Sequence, residues 1–508
     1  MFKKVNSAAY SGLKSIGIDV EINTSKKGLP KFEIVGLTSK AVDESEERVK
    51  NAIMNSKVDF PARKITVNLA PADVPKEGSF YDLPIAVGIL ASTLKFKVPE
   101  KSLFFGELSL DGSLRHTKGA LPLALFAQAE GYKNVFLPKD SANEAAVIKN
   151  INVYPVENLD QMISYLTGKT KIKPADYQVK KEVEIKPEFD MSEILGQKQT
   201  KRAAEIAAAG GHNLFMVGAP GSGKTMIARA LPGILPPLTD RESLEVTKIY
   251  SISGNTSPGS GLIKKRPFRA PHHSISKVGL IGGGSRPKPG EVTLAHRGVL
   301  FLDEFNEFPR SALEAMRQPL EDGKLTISRS RERVSYPSRF MLIASSNPCP
   351  CGYLNHPDKE CDCTPRQVKR YQKKISGPIL DRIDLHVEVP SVDVEKLKEQ
   401  RRKEDNEKSV QIRKRVDKAR KRQEKRFKKE AIHTNAEMKN RHVKKYCKLP
   451  EKSEEILSQA ASKFNLSARS YFKMIKVAQT IADLDNSEVI KVNHIAEALQ
   501  YREKTMNN

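Results

Sequence analysis

Alternation opens the chain. In SIGIDVEI the residues Ile16, Ile18, Val20 and Ile22 fall on every second position, and in ITVNL so do Ile65, Val67 and Leu69. A period of two places each set on one face of a strand, and Asp111-Gly112 predicts a hairpin turn. The stretches SKAVDESEERVKNAIMNS and DLPIAVGILASTL read as helices between these strands, so residues 1–168 are expected to form an α+β domain. A Lys-, Pro- and Glu-rich segment with weak patterning, 169–190, reads as a linker. From 191 to 391 the pattern changes. The runs NLFMV, VLFL and FMLIA are apolar throughout and alternate with helical segments, which predicts a parallel α/β sheet buried on both faces. Beyond 392 the stretch KLKEQRRKEDNEKSVQIRKRVDKARKRQEKRFKKE is polar almost all round, and predicts a solvent-bridging helix, a flexible basic arm, or both. Tyr471, Met474, Ile475, Ala478, Ile481 and Ala482 then recur at helical spacing, so a small helical bundle is expected to close the region 392–508.

A chain of 508 residues exceeds what one hydrophobic core holds, which agrees with this multidomain division. Lys and Arg number 86 against 61 Asp and Glu, a net +25 that favours a polyanionic partner such as nucleic acid. The start MFKKVNSAAYSGLKS opens with the pair Lys3 and Lys4 but has no apolar run behind them, and no stretch approaches the roughly 18 apolar residues that span a bilayer. A cytoplasmic location and no membrane partner are therefore expected. Five cysteines in such a chain argue against a disulfide framework.

Residues 218–225 read GAPGSGKT, between the apolar NLFMV and the helical MIARAL, which is the context of a phosphate-binding loop. Gly218, Ala219, Pro220, Gly221, Ser222 and Gly223 supply backbone that closes around phosphates. Lys224 is expected to reach the β/γ oxygens and Thr225 to hold Mg²⁺. GVLFLDEF ends a buried strand in two carboxylates, with Asp303 placed for the metal's water shell and Glu304 to polarise an attacking water. A solvated acidic strand end is the plainer alternative. Asn347, closing FMLIASSN, is positioned to orient that water. ATP and Mg²⁺ are thus the expected cofactors and nucleotide hydrolysis the expected chemistry.

This order of elements resembles the AAA+ ATPases. The resemblance implies that Arg382, in GPILDRIDL, is an arginine finger for a neighbouring subunit's γ-phosphate and that Arg469, in NLSARS, is the second sensor. A finger acting in trans implies a closed homo-oligomeric ring, and six is the family's usual number. Within RPFRAPHHSISKVGLIGGGSRPKPGEVTLAHRG, Gly282-Gly283-Gly284 flanked by Pro and Arg predicts an extruded hairpin. A second hairpin is expected at TISRSRERVSYPSRF, where Arg329, Arg331, Arg333 and Arg339 crowd among serines. Two hairpins at these points resemble the magnesium-chelatase and MCM-helicase side of AAA+, where they line the pore. Arg329, Arg331 and Arg333 are then expected to contact the phosphate backbone of single-stranded or branched DNA; a charged, solvated turn is the alternative.

The blocks GQKQTKRAAEIAAAGGHNLFMVGAPGSGKT, FRAPHHSIS, HRGVLFLDE, NPCPCGY, ISGPILDRIDLHVEVP and LSARSYFKMIKVAQTIADL resemble the magnesium-chelatase-like ComM/YifB competence family over nearly the whole chain. The resemblance implies an ATP-driven hexameric helicase that migrates DNA branches while transforming DNA is integrated. A magnesium-chelatase-like motor that remodels a protein partner is the alternative. Lys473 and Gln479 stand where the resemblance would put arginines. KEGSFYDLPIAVGIL and GELSLDGSLRHTKGALPLALFAQAEGYKNVFLP resemble the Lon protease domain, of the ribosomal-protein-S5-like fold. Phe80 and Pro122 occupy the positions of the Lon serine and lysine, so the domain is expected to be catalytically inert and to serve docking or ring assembly. Ser79 and Lys118, close by, leave a shifted dyad as a minor alternative. Finally, CPCGYLNHPDKECDC groups Cys349, Cys351, Cys361 and Cys363 around His356 in a C-x-C, nine-residue, C-x-C arrangement. The spacing makes a candidate Zn²⁺ site, with reduced structural thiols as the other reading. Cys447 is expected in the core.

Overall fold

In the computed structural model, which describes residues 1–36, 42, 44–74, 76, 78–178, 188–284, 287–328, 333–391 and 406–503, the alternating segments are strands. Phe2–Ser11 pairs antiparallel with Lys14–Ser25, which pairs antiparallel with Lys64–Ala70, and Lys31–Val35 adds to the latter in parallel. Val5, Ile18, Val20, Ile22, Ile65, Val67 and Leu69 are all buried. Opposite them lies the apolar helix Asp82–Thr93, where Gly88 lets the backbone approach Ile22: a Cβ on it would fall 2.1 Å from that side chain. A second, parallel sheet joins Ser102–Phe104, Asn134–Pro138 and Asn152–Val156. Asp111-Gly112 does turn a short hairpin between Glu107–Leu108 and Leu114–Arg115, with Gly112 at φ +87°.

The described chain divides into two units, Met1–Lys181 with Asp240–Ile263, and Glu182–Thr239 with Lys264–Asn508. The segment Asp240–Ile263 falls within the range 191–391 that sequence pattern assigned to the nucleotide-binding core, yet it folds with the N-terminal unit. Hydrogen bonds explain why. Ser251 donates its hydroxyl to the buried Glu144 carboxylate and its carbonyl accepts the Gly119 N–H at 3.3 Å, while the Gly259 N–H donates to the Asp140 carbonyl at 2.7 Å. Leu244 and Leu262 pack on the N-terminal core.

In the second unit, five parallel strands form one sheet in the order Phe268–Arg269, Val299–Leu302, Met341–Ser346, Leu214–Gly218, Leu385–Val389. The three central strands are the apolar runs of the sequence, and both faces are covered, as a parallel sheet requires. The two expected hairpins are present: Gly282–Gly283 pairs with Lys288–Pro289, and Lys324–Ser328 with Arg333–Pro337. The first is less extruded than its composition suggests. Gly282 and Gly283 are buried, and the Tyr336 hydroxyl of the second hairpin donates to the Pro287 carbonyl at 2.7 Å.

The basic stretch after 392 departs from expectation where it is described. Ser409–Arg426 is neither a free arm nor a solvent-bridging helix, because Ile412, Val416, Ala419 and Gln423 form a stripe that packs on Lys198–Gly210 and Ala468–Leu484. That stripe is narrow, so charged neighbours hide it in a composition average. Arg413 and Arg420 donate to the Gly233 and Ala208 carbonyls, and Arg426 forms an ion pair with the fully buried Asp483. Cys447 is buried as expected, and burial pushes its thiol up to about 12.

The N-terminal unit buries a second carboxylate in addition to Glu144. Asp82 is fully buried and accepts from Arg48 Nε at 2.7 Å and Nη2 at 3.2 Å, and from the Leu108 N–H at 3.2 Å. Arg48→Ala strands that carboxylate, and is expected to lower the stability of the unit by about 3 kcal/mol in chemical denaturation, since breaking a buried pair costs more than forming it gains.

Candidate active site

Sheet order builds the site. All five strands run the same way, so their carboxyl ends share one edge, and the Met341–Ser346 strand lies between the strand that leads into GAPGSGKT and the strand that ends at Asp303. Ligands of open parallel sheets bind at that edge. The loop leaves Leu214–Gly218 and turns into the helix Lys224–Ala230 through Gly221 at φ +77° and Gly223 at φ +92°, a backbone conformation that side chains resist. Gly218 is needed for closeness instead: a Cβ there would sit 2.3 Å from the Val389 carbonyl oxygen.

Lys224 is mostly buried, and desolvation lowers its pKa. Its Nζ donates to the Gly218 and Ala219 carbonyls at 2.7 and 2.8 Å and lies 3.4 Å from Asn347 Oδ1. Thr225 Oγ1 donates to Asp303 Oδ2 at 2.8 Å, and Ser345 donates to the other oxygen of Asp303. Lys224, Thr225, Asp303 and Asn347 are therefore brought together from three separate chain segments. The Thr225 hydroxyl and the Asp303 carboxylate are hard oxygen donors of the kind Mg²⁺ takes while keeping several waters. Glu304 follows in a left-handed conformation, φ +52°, and its carboxylate meets His273 Nδ1 at 3.0 Å. Non-glycine residues held there are strained, and such strain gathers at functional sites. Nothing in the sequence assigned His273 a role; the only available signal was its place in FRAPHHSIS, just past the edge strand Phe268–Arg269.

Arg382 and Arg469 do not join this group. Both are drawn to one carboxylate, Glu321, with Arg469 Nη2 2.9 Å from its Oε1 and Arg382 bound to its Oε2. The two guanidinium groups, Arg382 first, hold Glu321 below the usual carboxylate range. Glu321 escaped the sequence reading because an exposed carboxylate at a helix end carries no motif. Of the hairpin arginines, Arg333 is exposed where the second strand begins, and Arg329 and Arg331 lie outside the described residues. Arg339 sits at the hairpin's base rather than on its tip, donating to Glu437 Oε2 at 2.8 Å and the Ala431 carbonyl at 3.0 Å.

The positions compared with the Lon dyad hold other contacts. Phe80 stacks on Tyr10, Pro122 is buried in the helix Ala120–Ala129, Ser79 donates to Glu107, and the Lys118 side chain runs along Gly254. In the cluster of Cys349, Cys351, Cys361 and Cys363 the four sulfurs lie within 4.8 Å of one another, which suits a metal ion. His356 is outside the cluster, its Nδ1 accepting from the Asp358 N–H at 3.1 Å. Lys473 and Gln479 are buried, Lys473 donating to the Ile383 carbonyl at 2.8 Å.

A parallel sheet in this order, with a phosphate loop and an Asp-Glu strand end on its carboxyl edge, is the fold of an AAA+ P-loop ATPase. The comparisons narrow it. Three family models match: "Magnesium chelatase, subunit ChlI" over 190–397, "Subunit ChlI of Mg-chelatase" over 20–141, and "Magnesium chelatase, subunit ChlI C-terminal" over 406–502. The chain is 42% identical to the competence protein ComM of Haemophilus influenzae, covering 98% of this chain and 97% of that protein. It is 41% identical to YifB of Escherichia coli, covering 98% and 96%. A 26% identity to the 38 kDa magnesium-chelatase subunit of Rhodobacter capsulatus spans 41% of this chain and 57% of that one, and a Lon protease of Mycoplasmopsis agalactiae matches at 22% over 36% and 20%. The chain belongs to the magnesium-chelatase-like AAA+ family of ComM and YifB, a family typically oligomeric. Among the described residues no helix is long and apolar enough to cross a membrane.

Proposed function

We propose that the protein is a ring-forming, ATP-driven DNA motor of the cytoplasm, probed most directly as a helicase that promotes branch migration while incoming DNA is integrated. One observation carries the motor reading. Lys224, Thr225, Asp303 and Asn347 meet on one edge, while Arg382 and Arg469 are paired with each other's carboxylate partner, Glu321. An arginine pair held together on a surface carboxylate suits delivery as a unit to the nucleotide of a neighbouring copy, as in a hexameric ring.

In this reading the backbone of residues 218–223 cradles the phosphates and Lys224 reaches the β/γ oxygens. Thr225 and Asp303 hold Mg²⁺, which would neutralise phosphate charge. Glu304 polarises the attacking water and Asn347 orients it. His273 steadies the Glu304 carboxylate. The DNA part is supported by the net +25, by the arginine-bearing hairpin Lys324–Ser328/Arg333–Pro337, and by the name of the relative, a competence protein. Arg329, Arg331 and Arg333 would grip phosphates without reading sequence. The N-terminal unit serves docking or ring assembly, with no peptidase dyad to use. The likeness to a magnesium-chelatase subunit favours the second reading, a motor that remodels a protein partner.

Glu304→Gln is expected to cut ATP turnover at least about 100-fold while nucleotide affinity stays within a few-fold, as removal of a general base does; equal loss of binding would argue for a structural role. Lys224→Ala and Arg382→Ala proteins should each be inactive alone and should regain ATPase activity on mixing, because one supplies an intact phosphate loop and the other an intact finger to a shared interface. No recovery at any ratio rules out action in trans. Single-stranded, duplex and branched DNA should each be tested for stimulation of hydrolysis and for strand displacement. The double reversal Arg331→Glu with Arg333→Glu is expected to abolish stimulation and to spare basal turnover. Hydrolysis that ignores every DNA shifts the assignment to protein remodelling.

A further inference from the structure

We propose that Cys349, Cys351, Cys361 and Cys363 form a four-thiolate Zn²⁺ site that props the phosphate loop beside Asn347. The four sulfurs lie within 4.8 Å of one another, close enough to share one ion. Cys349 Sγ lies 3.4 Å from Cys351 Sγ and 3.7 Å from Cys361 Sγ, and Cys351 Sγ lies 3.5 Å from Cys361 Sγ. Four Zn–S bonds of about 2.3 Å in tetrahedral array set neighbouring sulfurs about 3.8 Å apart. Disulfides require about 2.05 Å, and all four cysteines are free. The Cys351 N–H donates to Cys363 Sγ at 3.4 Å, the outer contact that orients a metal-bound sulfur. An all-sulfur set selects zinc over the hard ion suited to Thr225 and Asp303, and its four ligands leave no open position, which marks a structural rather than a catalytic site.

Placement gives the site its consequence. The first C-x-C pair starts two residues after Asn347, and the second ends beside Thr364, whose hydroxyl caps the helix Pro365–Gln372. That helix leads towards Arg382, and its Gln372 Nε2 donates back to the Pro348 carbonyl at 3.1 Å. Between the pairs, Gly352 takes φ +86° and lies directly against the phosphate loop: a Cβ on it would fall 2.6 Å from Pro220 Cδ and 3.8 Å from Asn347 Cγ. A metal that closes residues 349–363 therefore fixes the backbone on which Pro220 rests. On binding, the thiols release their protons to solvent.

The metal half stands independently of any nucleotide chemistry; the propping half rests on reading 218–225 as the nucleotide site. Elemental analysis of the full chain, purified without chelator, is expected to find about one zinc per chain, and Cys361→Ser with Cys363→Ser to remove it. Cobalt substitution should give the intense ligand-field bands of a tetrahedral thiolate centre. Gly352→Ala keeps all four ligands, so it should retain zinc yet bind a non-hydrolysable ATP analogue about tenfold more weakly, because its methyl group would crowd Pro220 of the phosphate loop. Wild-type protein without stoichiometric metal, or with iron and sulfide in place of zinc, overturns the site. Full zinc with unchanged analogue affinity in Gly352→Ala overturns the prop, and loss of analogue binding by wild type itself would indict the nucleotide reading instead.

Discussion

Placing the Met341–Ser346 strand between the phosphate-loop strand and the acidic strand is the constraint on which the site depends. Parallel strands lie about 4.8 Å apart, so this insertion separates the backbones leading to Lys224 and Asp303 by about 10 Å and puts Asn347 in the gap. The Thr225–Asp303 hydrogen bond then closes one side of the gap, and the Lys224 ammonium with Asn347 the other. An order that removed this strand from between the other two would keep every motif and lose their meeting.

Charge is distributed less simply than a net +25 suggests. Much of the arginine in the C-terminal half is engaged in folding the chain. Arg413, Arg420 and Arg426 are tied to carbonyls or a buried carboxylate, and Arg415 pairs with both Glu205 and Glu407. Guanidinium groups suit this work because their fork meets two acceptors at once. Ion pairs of this kind fix which helices meet more than they add stability. Among the described residues Arg310, Arg333, Arg366 and Arg370 stay exposed.

The two units also share chain in an unexpected way. Asp240–Ile263 departs from the nucleotide-binding unit after the phosphate-loop helix, joins the N-terminal unit, and returns ahead of the edge strand Phe268–Arg269. Ser251 and Glu144 are 107 residues apart, so the N-terminal unit gains this part of its core only through long-range contacts that follow local folding. The Lon-like region is in consequence not an appendage on a single tether, and its removal at residue 168 would leave Leu244 and Leu262 without their packing partners.

The sequence by itself determined the elements and where the candidate sites lie. Period-two runs became half-buried strands, uninterrupted apolar runs became the parallel sheet, and GAPGSGKT, LDEF and the four clustered cysteines marked their candidate sites locally, because each depends on residues only a few positions apart. Three things waited for the tertiary structure. The narrow stripe Ile412, Val416 and Ala419 turned a polar helix into a packed one. Glu321 collected Arg382 and Arg469. Gly352 came to rest on Pro220. Each is a contact between segments far apart in the chain, and its existence depends on strand order and helix packing, quantities to which no local pattern of hydrophobic and polar residues corresponds.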